Sequence, residues 1–254
     1  MNGNGDYMGV LSGESITYDK LIDMHCHILP GLDDGAVTME ETVKALAAAK
    51  RQGISVLICT PHFNPDQKNA SPEQIRQMLE KTKKRSDEAG LDLEFYPGQE
   101  LMYHSDLPRF LEQGEVLTLA DTRYVLVEFV EDVSYREIIK GILRLMDYGY
   151  LPILAHYERY RCLMDKKRKQ ELKQEKIFLQ MNYDTVQRTY GIFHKNPFRT
   201  DLEQGIVDFM GSDCHGSHFR PYRIGPSLRW MEQALTEEMK QKIFVDNPGK
   251  ILGH

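Results

Sequence analysis

The sequence has no long apolar run, no closely spaced cysteine pair and no sustained block of one charge. No stretch approaches the ~20 consecutive apolar residues that cross a bilayer as a helix, so direct membrane insertion is not expected. The segment Met1–Ser15 is rich in glycine and polar residues and lacks the apolar centre of a secretory signal. It is expected, with the next few positions, to form a disordered extension over residues 1–18. Cys26, Cys59, Cys162 and Cys214 are far apart, with no C-x-x-C spacing. That excludes a disulfide framework and points to a reducing cytoplasm. The formal charge is −6, and the basic clusters Lys81–Arg85 and Lys166–Lys169 fall in helical patterns. They read as solvated helix faces, which argues against nucleic acid as a partner.

What the sequence does contain is an alternation of short Val/Ile/Leu/Phe runs with longer helical stripes. Strands are expected near residues 20–25, 54–60, 92–96, 124–129, 151–156, 177–182 and 206–211. Helices are expected over Met39–Gln52, Pro72–Ala89, Tyr135–Tyr148 and Met164–Gln174. Alternating elements imply a parallel sheet covered by helices. At 254 residues the chain matches one βα barrel of ~250 residues. Seven strands with little interruption favour a closed or nearly closed barrel over residues 19–254, with an open doubly wound sheet as the alternative. Tyr183–Arg199 is poorly periodic and reads as a long loop with a broken helix.

Parallel α/β folds place their sites beyond the carboxyl ends of the strands. The first strand ends in Asp23-Met-His25-Cys-His27, followed by Asp33-Asp34-Gly35. Later ends carry His62, Glu100, Glu128, His156 with Glu158 and Arg159, Asn182, and Asp213-Cys-His215. Six of the seven ends thus deliver His, Asp or Glu to one face. His25 and His27, alternate residues of an extended backbone, project to the same side. Charges crowded into a barrel mouth are costly unless something neutralises them, and divalent cations would do so. Imidazole with carboxylate suits Zn, Mn, Fe or Co rather than a zinc–cysteine site. So many ligands exceed the need of one ion. Clusters of two or three ions hold a bridging hydroxide and neutralise a phosphoester. Arg159 and Arg220 fall in loops on the same face, where planar guanidinium groups suit capture of phosphate.

The run Ile22-Asp-Met-His-Cys-His-Ile-Leu-Pro-Gly-Leu-Asp-Asp-Gly-Ala36 resembles the opening motif of the polymerase-and-histidinol-phosphatase (PHP) superfamily. More narrowly, it is similar to the bacterial metal-dependent protein tyrosine phosphatases of capsule and exopolysaccharide operons. The likeness continues through Thr60-Pro-His62, Gly98-Gln-Glu100, Val127-Glu128-Phe129, His156-Tyr-Glu-Arg-Tyr160, Ser212-Asp-Cys-His215 and Val245-Asp-Asn-Pro-Gly-Lys-Ile-Leu252. It implies a distorted seven-stranded TIM-like barrel holding three divalent ions, manganese first, with iron, zinc or cobalt as alternatives. The first ion would take His25, His27, Glu100 and Asp213. The second would take Glu100, Glu128 and His156, and the third Asp34, His62 and His215. Arg159 and Arg220 match the family's phosphate-binding arginines. The implied substrate is phosphotyrosine on protein, with a bacterial tyrosine kinase of polysaccharide export as partner. A small-molecule phosphatase acting on histidinol phosphate and a non-catalytic metal-binding scaffold are the alternatives.

A competing pattern lies in the same stretch. Cys214-His-Gly-Ser-His-Phe-Arg220 satisfies C-x5-R, the signature of phosphatases with a thiolate nucleophile. Here the loop lacks a glycine-rich cradle, Pro221 removes an N–H, and the neighbouring carboxylates disfavour a thiolate.

Overall fold

The computed structural model describes residues 21–190 and 195–253; the extension expected over residues 1–18 lies outside them. The main helices start where the sequence supplies a cap. Thr38 accepts a hydrogen bond from the Glu41 N–H ahead of α1 (Met39–Arg51). Ser71 with Gln74, and Ser134 with Glu137, close reciprocal capping boxes. Those boxes open α2 (Pro72–Glu88) and, after the short α3 (Leu107–Glu112), α4 (Tyr135–Asp147). Asp165 caps α5 (Lys166–Gln174), and Asn196 caps α6 (Pro197–Glu203). The expected helices thus hold to within a residue or two. In the irregular stretch from Tyr183, the described residues before α6 include one tight turn, Tyr183–Gln187; residues 191–194 lie outside the described part.

The seven expected strands become nine segments among the described residues. These are β1 (Leu21–Cys26), β2 (Ile54–Cys59), β3 (His62–Phe63), β4 (Glu94–Pro97) and β5 (Glu100–Met102). There follow β6 (Tyr124–Glu128), β7 (Leu151–Leu154), β8 (Phe178–Asn182) and β9 (Phe209–Gly211). All pair in parallel, in two sheets ordered β1-β2-β4 and β3-β5-β6-β7-β8-β9. The extra segments, β3 and β5, lie just beyond the expected strands 54–60 and 92–96. After β2 comes Pro61, which has no N–H for a ladder, and the chain resumes as β3. Likewise β4 stops at Pro97, and the chain resumes as β5 after Gly98 and Gln99. In the second sheet His62 pairs with Glu100, which pairs in turn with Leu126.

The six-stranded sheet curls. Three strand spacings in a flat sheet would separate β6 from β9 by ~14 Å. Yet the rings of Tyr124 (β6) and Phe209 (β9) lie 6.5 Å apart, and Phe178 (β8) packs 5.8 and 5.7 Å from them. These rings and Leu126 belong to an apolar plug with Met24, Ile58 and Ile153. Period-two alternation then sets Glu128 above Leu126, and Gln180 and Asn182 above Phe178, on the same face. A separate apolar layer packs the other strand faces under the helices. Beyond β9 the chain returns to the first strand. The Asp213 N–H donates to His25 O, and the His27 N–H donates to Cys214 O, each at 2.8 Å. Buried Asp23 reinforces this seam by accepting from the Ser212 N–H at 2.9 Å and from the Tyr222 hydroxyl at 2.7 Å.

Candidate metal centre

Above the plug, the nine expected ligands form one continuous cluster. Glu100 is its hub. Its Oε2 lies 3.1 Å from His25 Nε2, 3.2 Å from His27 Nε2 and 3.2 Å from His62 Nδ1. Its Oε1 faces His156 Nε2 at 2.8 Å. Glu128 sits 3.1 Å from His62 Nδ1 and 3.5 Å from His156 Nε2. Asp213 Oδ1 approaches His25 and His27 at 3.6 and 3.5 Å. Asp34 lies 3.5 Å from both His62 Nε2 and His215 Nε2. Ligand atoms converge closely enough to hold an ion in three overlapping groups. These are His25, His27 and Glu100; His62, Glu100 and Glu128; and His27, Asp34, His62 and His215.

Several residues that hold these groups in place were not singled out from the sequence. Asp33, beside Asp34, accepts from His27 Nδ1 at 2.8 Å and from the His62 N–H at 3.0 Å. The adjoining Gly35 is obligatory on spatial grounds, since a Cβ there would stand 2.1 Å from His27 O. Gln180 Oε1 accepts from His25 Nδ1 at 3.1 Å and from the His156 N–H at 2.8 Å. Its amide donates to Asn182 Oδ1, and the Asn182 amide donates to Asp213 Oδ2 at 2.8 Å. Backing of this kind fixes the tautomer and the ring plane of a ligating histidine. The signal for Gln180 was its period-two relation to Asn182 in a buried strand. An amide is simply a less conspicuous clue than a carboxylate.

The electrostatics suit a donor set built for cations. Burial alone would push the His27 imidazole down, but Asp33 and Glu100 hold it well above the ordinary histidine range. Burial would raise Asp33, yet its bonds from His27, Gly35 and His62 hold it at about 2. Glu100 likewise resists burial and is drawn well below the usual carboxylate range by His25, His156 and His27. His215 is pushed down to about 4, first by burial and then by the neighbouring His27. The fit to metal rests on Glu100 Oε2. It is buried, it faces three imidazole nitrogens, and none of them is aimed to donate a hydrogen bond to it. Two of the expected ligands also sit on left-handed backbone, His156 at φ 31° and Asp213 at φ 50°. Such conformations cost non-glycine residues of order 1–3 kcal/mol and gather at functional sites.

Arg159 and Arg220 both reach Asp213 Oδ2. Each keeps further N–H donors beyond that contact. Cys214, by contrast, is wholly buried, and its thiol donates to Gly216 O at 3.3 Å. Burial and the nearby Asp23 push the thiol well above its usual range. Arg220 contacts Asp213 and His215. The C-x5-R pattern therefore does not form a thiolate cradle here.

Comparison with known proteins agrees with this geometry. A family profile described as capsular polysaccharide synthesis, CpsB/CapC, matches residues 21–253. Tyrosine-protein phosphatase CpsB of Streptococcus pneumoniae is 32% identical over 238 residues, covering 91% of this chain and 98% of the relative. Tyrosine-protein phosphatase YwqE of Bacillus subtilis is 30% identical over 220 residues, covering 86% and 87%. A crystal structure from a study of YwqE and the S. pneumoniae CpsB, described as unique metal-dependent tyrosine phosphatases, superposes with a TM-score of 0.81. It is 29% identical and covers 92% of this chain and 94% of that one. An amidohydrolase from Mycoplasma synoviae, 10% identical with a TM-score of 0.57, covers 91% and 87% and shares the fold alone.

Proposed function

The chain belongs to the CpsB/CapC family of capsular polysaccharide synthesis proteins, and on that premise we propose that it is a divalent-metal-dependent protein tyrosine phosphatase. We read the two sheets as one seven-staved barrel, in which β2/β3 and β4/β5 are interrupted staves and the β1–Asp213 seam closes the circle.

The observation that carries the proposal is the buried Glu100 carboxylate bridging four imidazoles. Five histidines and four carboxylates form a donor set suited to three ions, manganese first. In this reading His25, His27, Glu100 and Asp213 hold one. Glu100, Glu128 and His156 hold the second; Asp34, His62 and His215 hold the third. Divalent ions, when bound, supply an activated water nucleophile and neutralise charge on the phosphoryl group. The chain's own part is orientation and charge. Gln180 and Asp33 fix His25 and His27 with their lone pairs toward the cluster. Arg159 and Arg220 keep N–H donors free for the phosphoryl oxygens as negative charge grows there. The phenolate leaving group needs little protonation, so no buried acid has to serve it. The substrate in this reading is phosphotyrosine on a cytoplasmic protein, a tyrosine kinase of polysaccharide export by the family's operon context. Among the described residues no helix is long and apolar enough to cross a membrane.

The test strips the protein with chelator and assays an aryl phosphate, a phosphotyrosine peptide and histidinol phosphate. The assays are repeated after adding Mn²⁺, Fe²⁺, Co²⁺ or Zn²⁺, with Cys214→Ser alongside. Activity that vanishes, returns with metal, favours the peptide over histidinol phosphate and survives the substitution supports the proposal. Activity that survives chelation but is lost in Cys214→Ser overturns it.

A further inference from the structure

Two cavities with shared lining residues lie beside the candidate metal centre. The first, of about 400 Å³, is walled by Asp34, His62 and Glu128 and by the loop carrying Lys68. The second, of about 420 Å³, has an apolar wall of Tyr103, Phe129, Val130 and Val133. Asn64 and Met102 line both. Met102, shared by both linings, marks the join. Met102 follows Glu100 by two residues and pairs with Glu128, so it shares the hub's face one step further out. The next residues, Tyr103 and Phe129, stack with centroids 4.8 Å apart and planes 23° from parallel. Helix α4 lies directly against this stack because position 141 is glycine. A Cβ there would stand 2.8 Å from Tyr103 Cζ and 3.0 Å from Phe129 Cε1.

The rim carries both signs, Lys140 and Arg144 against Asp66 and Glu137, and Glu137 is already engaged by Ser134. Charge therefore does not select the occupant; the apolar wall does. Val130 is 58% exposed, which leaves apolar surface in water immediately beside a ligand-bearing strand end.

We propose that the second cavity is a subsite for a large apolar side chain flanking the phosphotyrosine of a polypeptide substrate. The inference rests on the phosphatase reading and refines its substrate class. An aryl phosphate occupies the first cavity and leaves the second empty. A polypeptide carries its next side chain past Met102 onto the Tyr103–Phe129 stack. Contacts there lie away from the reacting phosphorus, so they act on the ground and transition states alike and appear in KM.

The test uses the metal-loaded enzyme and phosphotyrosine peptides with Gly, Ser, Leu or Phe on either side, with p-nitrophenyl phosphate as reference. Leu or Phe on one side is expected to raise kcat/KM about tenfold over Gly, mainly through KM. Val133→Arg fills the cavity, and Val130→Glu adds charge at an exposed position. Each is expected to cut that preference to about twofold or less while p-nitrophenyl phosphate turnover stays within about twofold of the parent. A flat peptide series with active p-nitrophenyl phosphate turnover overturns the subsite, as does a preference that both variants retain. No p-nitrophenyl phosphate turnover with any metal sinks the phosphatase reading instead.

Discussion

Replacing Gln180 by leucine tests whether the backing of the ligands, rather than the ligands alone, sets metal affinity. The amide serves both sides of the cluster at once. Its oxygen takes the His25 Nδ1 proton and the His156 N–H, while its nitrogen donates to the chain of bonds ending on Asp213. Leucine is close in volume but offers no acceptor, so two buried donors lose their partner, at ~1–3 kcal/mol each. Part of that cost falls on folding, seen as a lower melting temperature of the stripped protein. The remainder frees the His25 ring to turn and lets Asp213 drift. Loss of such partners lowers metal affinity ~10–100-fold, or ~1.4–2.8 kcal/mol. The affinity is read by competing the stripped protein against a chromophoric chelator for Mn²⁺, without reference to turnover. Gln180→Glu keeps the acceptor for His25 but loses the donor to Asn182, and it should fall between the two. Parent-like Mn²⁺ affinity in the leucine variant, alongside a lowered melting temperature, would refute the reasoning by making Gln180 structural only.

Arg159→Ala and Arg220→Ala should each lower kcat/KM on aryl phosphate by ~10²-fold or more, as removal of a charge-stabilising donor does; a near-parent rate in either removes its assigned role. Gly35→Ala should weaken Mn²⁺ binding, because its Cβ would force the Asp33–Asp34 turn away from His27 O, and chelator competition reads this directly. Lys169→Met should cost about 3–5 kcal/mol, since it leaves Asp201 buried with only the Tyr157 hydroxyl as partner. A denaturant midpoint unchanged from the parent would contradict that, and activity at low temperature should survive.

Strand and helix positions were legible because period-two and helical stripes are local signals, and the caps at Thr38, Ser71 and Ser134 mark helix starts in the sequence itself. The clustering of these side chains was legible because His and carboxylates at successive strand ends are rare without a common purpose. Less accessible was the division of β2/β3 and β4/β5. A two-residue strand such as His62–Phe63 carries no periodicity, and only its tertiary partner Glu100 defines it. Helices α3 and α6, with six and seven residues, were missed for a similar reason. The left-handed backbone of His156 and Asp213 was also invisible, because neither residue type advertises it as glycine does. Asp33 and Asp34 stand side by side in sequence yet do different work. Their division depends on which carboxylate meets His27, and only the folded turn decides that.

The seam between the first strand and the chain beyond the last has a bearing on the order of assembly. Asp23 and Ser212 are 189 positions apart, and the ligands on either side of them cannot meet until almost the whole chain is in place. Contacts of such long range form late, after the entropy of closing the intervening loop has been met. An N-terminal fragment emerging during synthesis carries His25, His27 and His62 but lacks the half of the cluster that gives it shape. The cluster therefore depends on residues from both ends of the described chain.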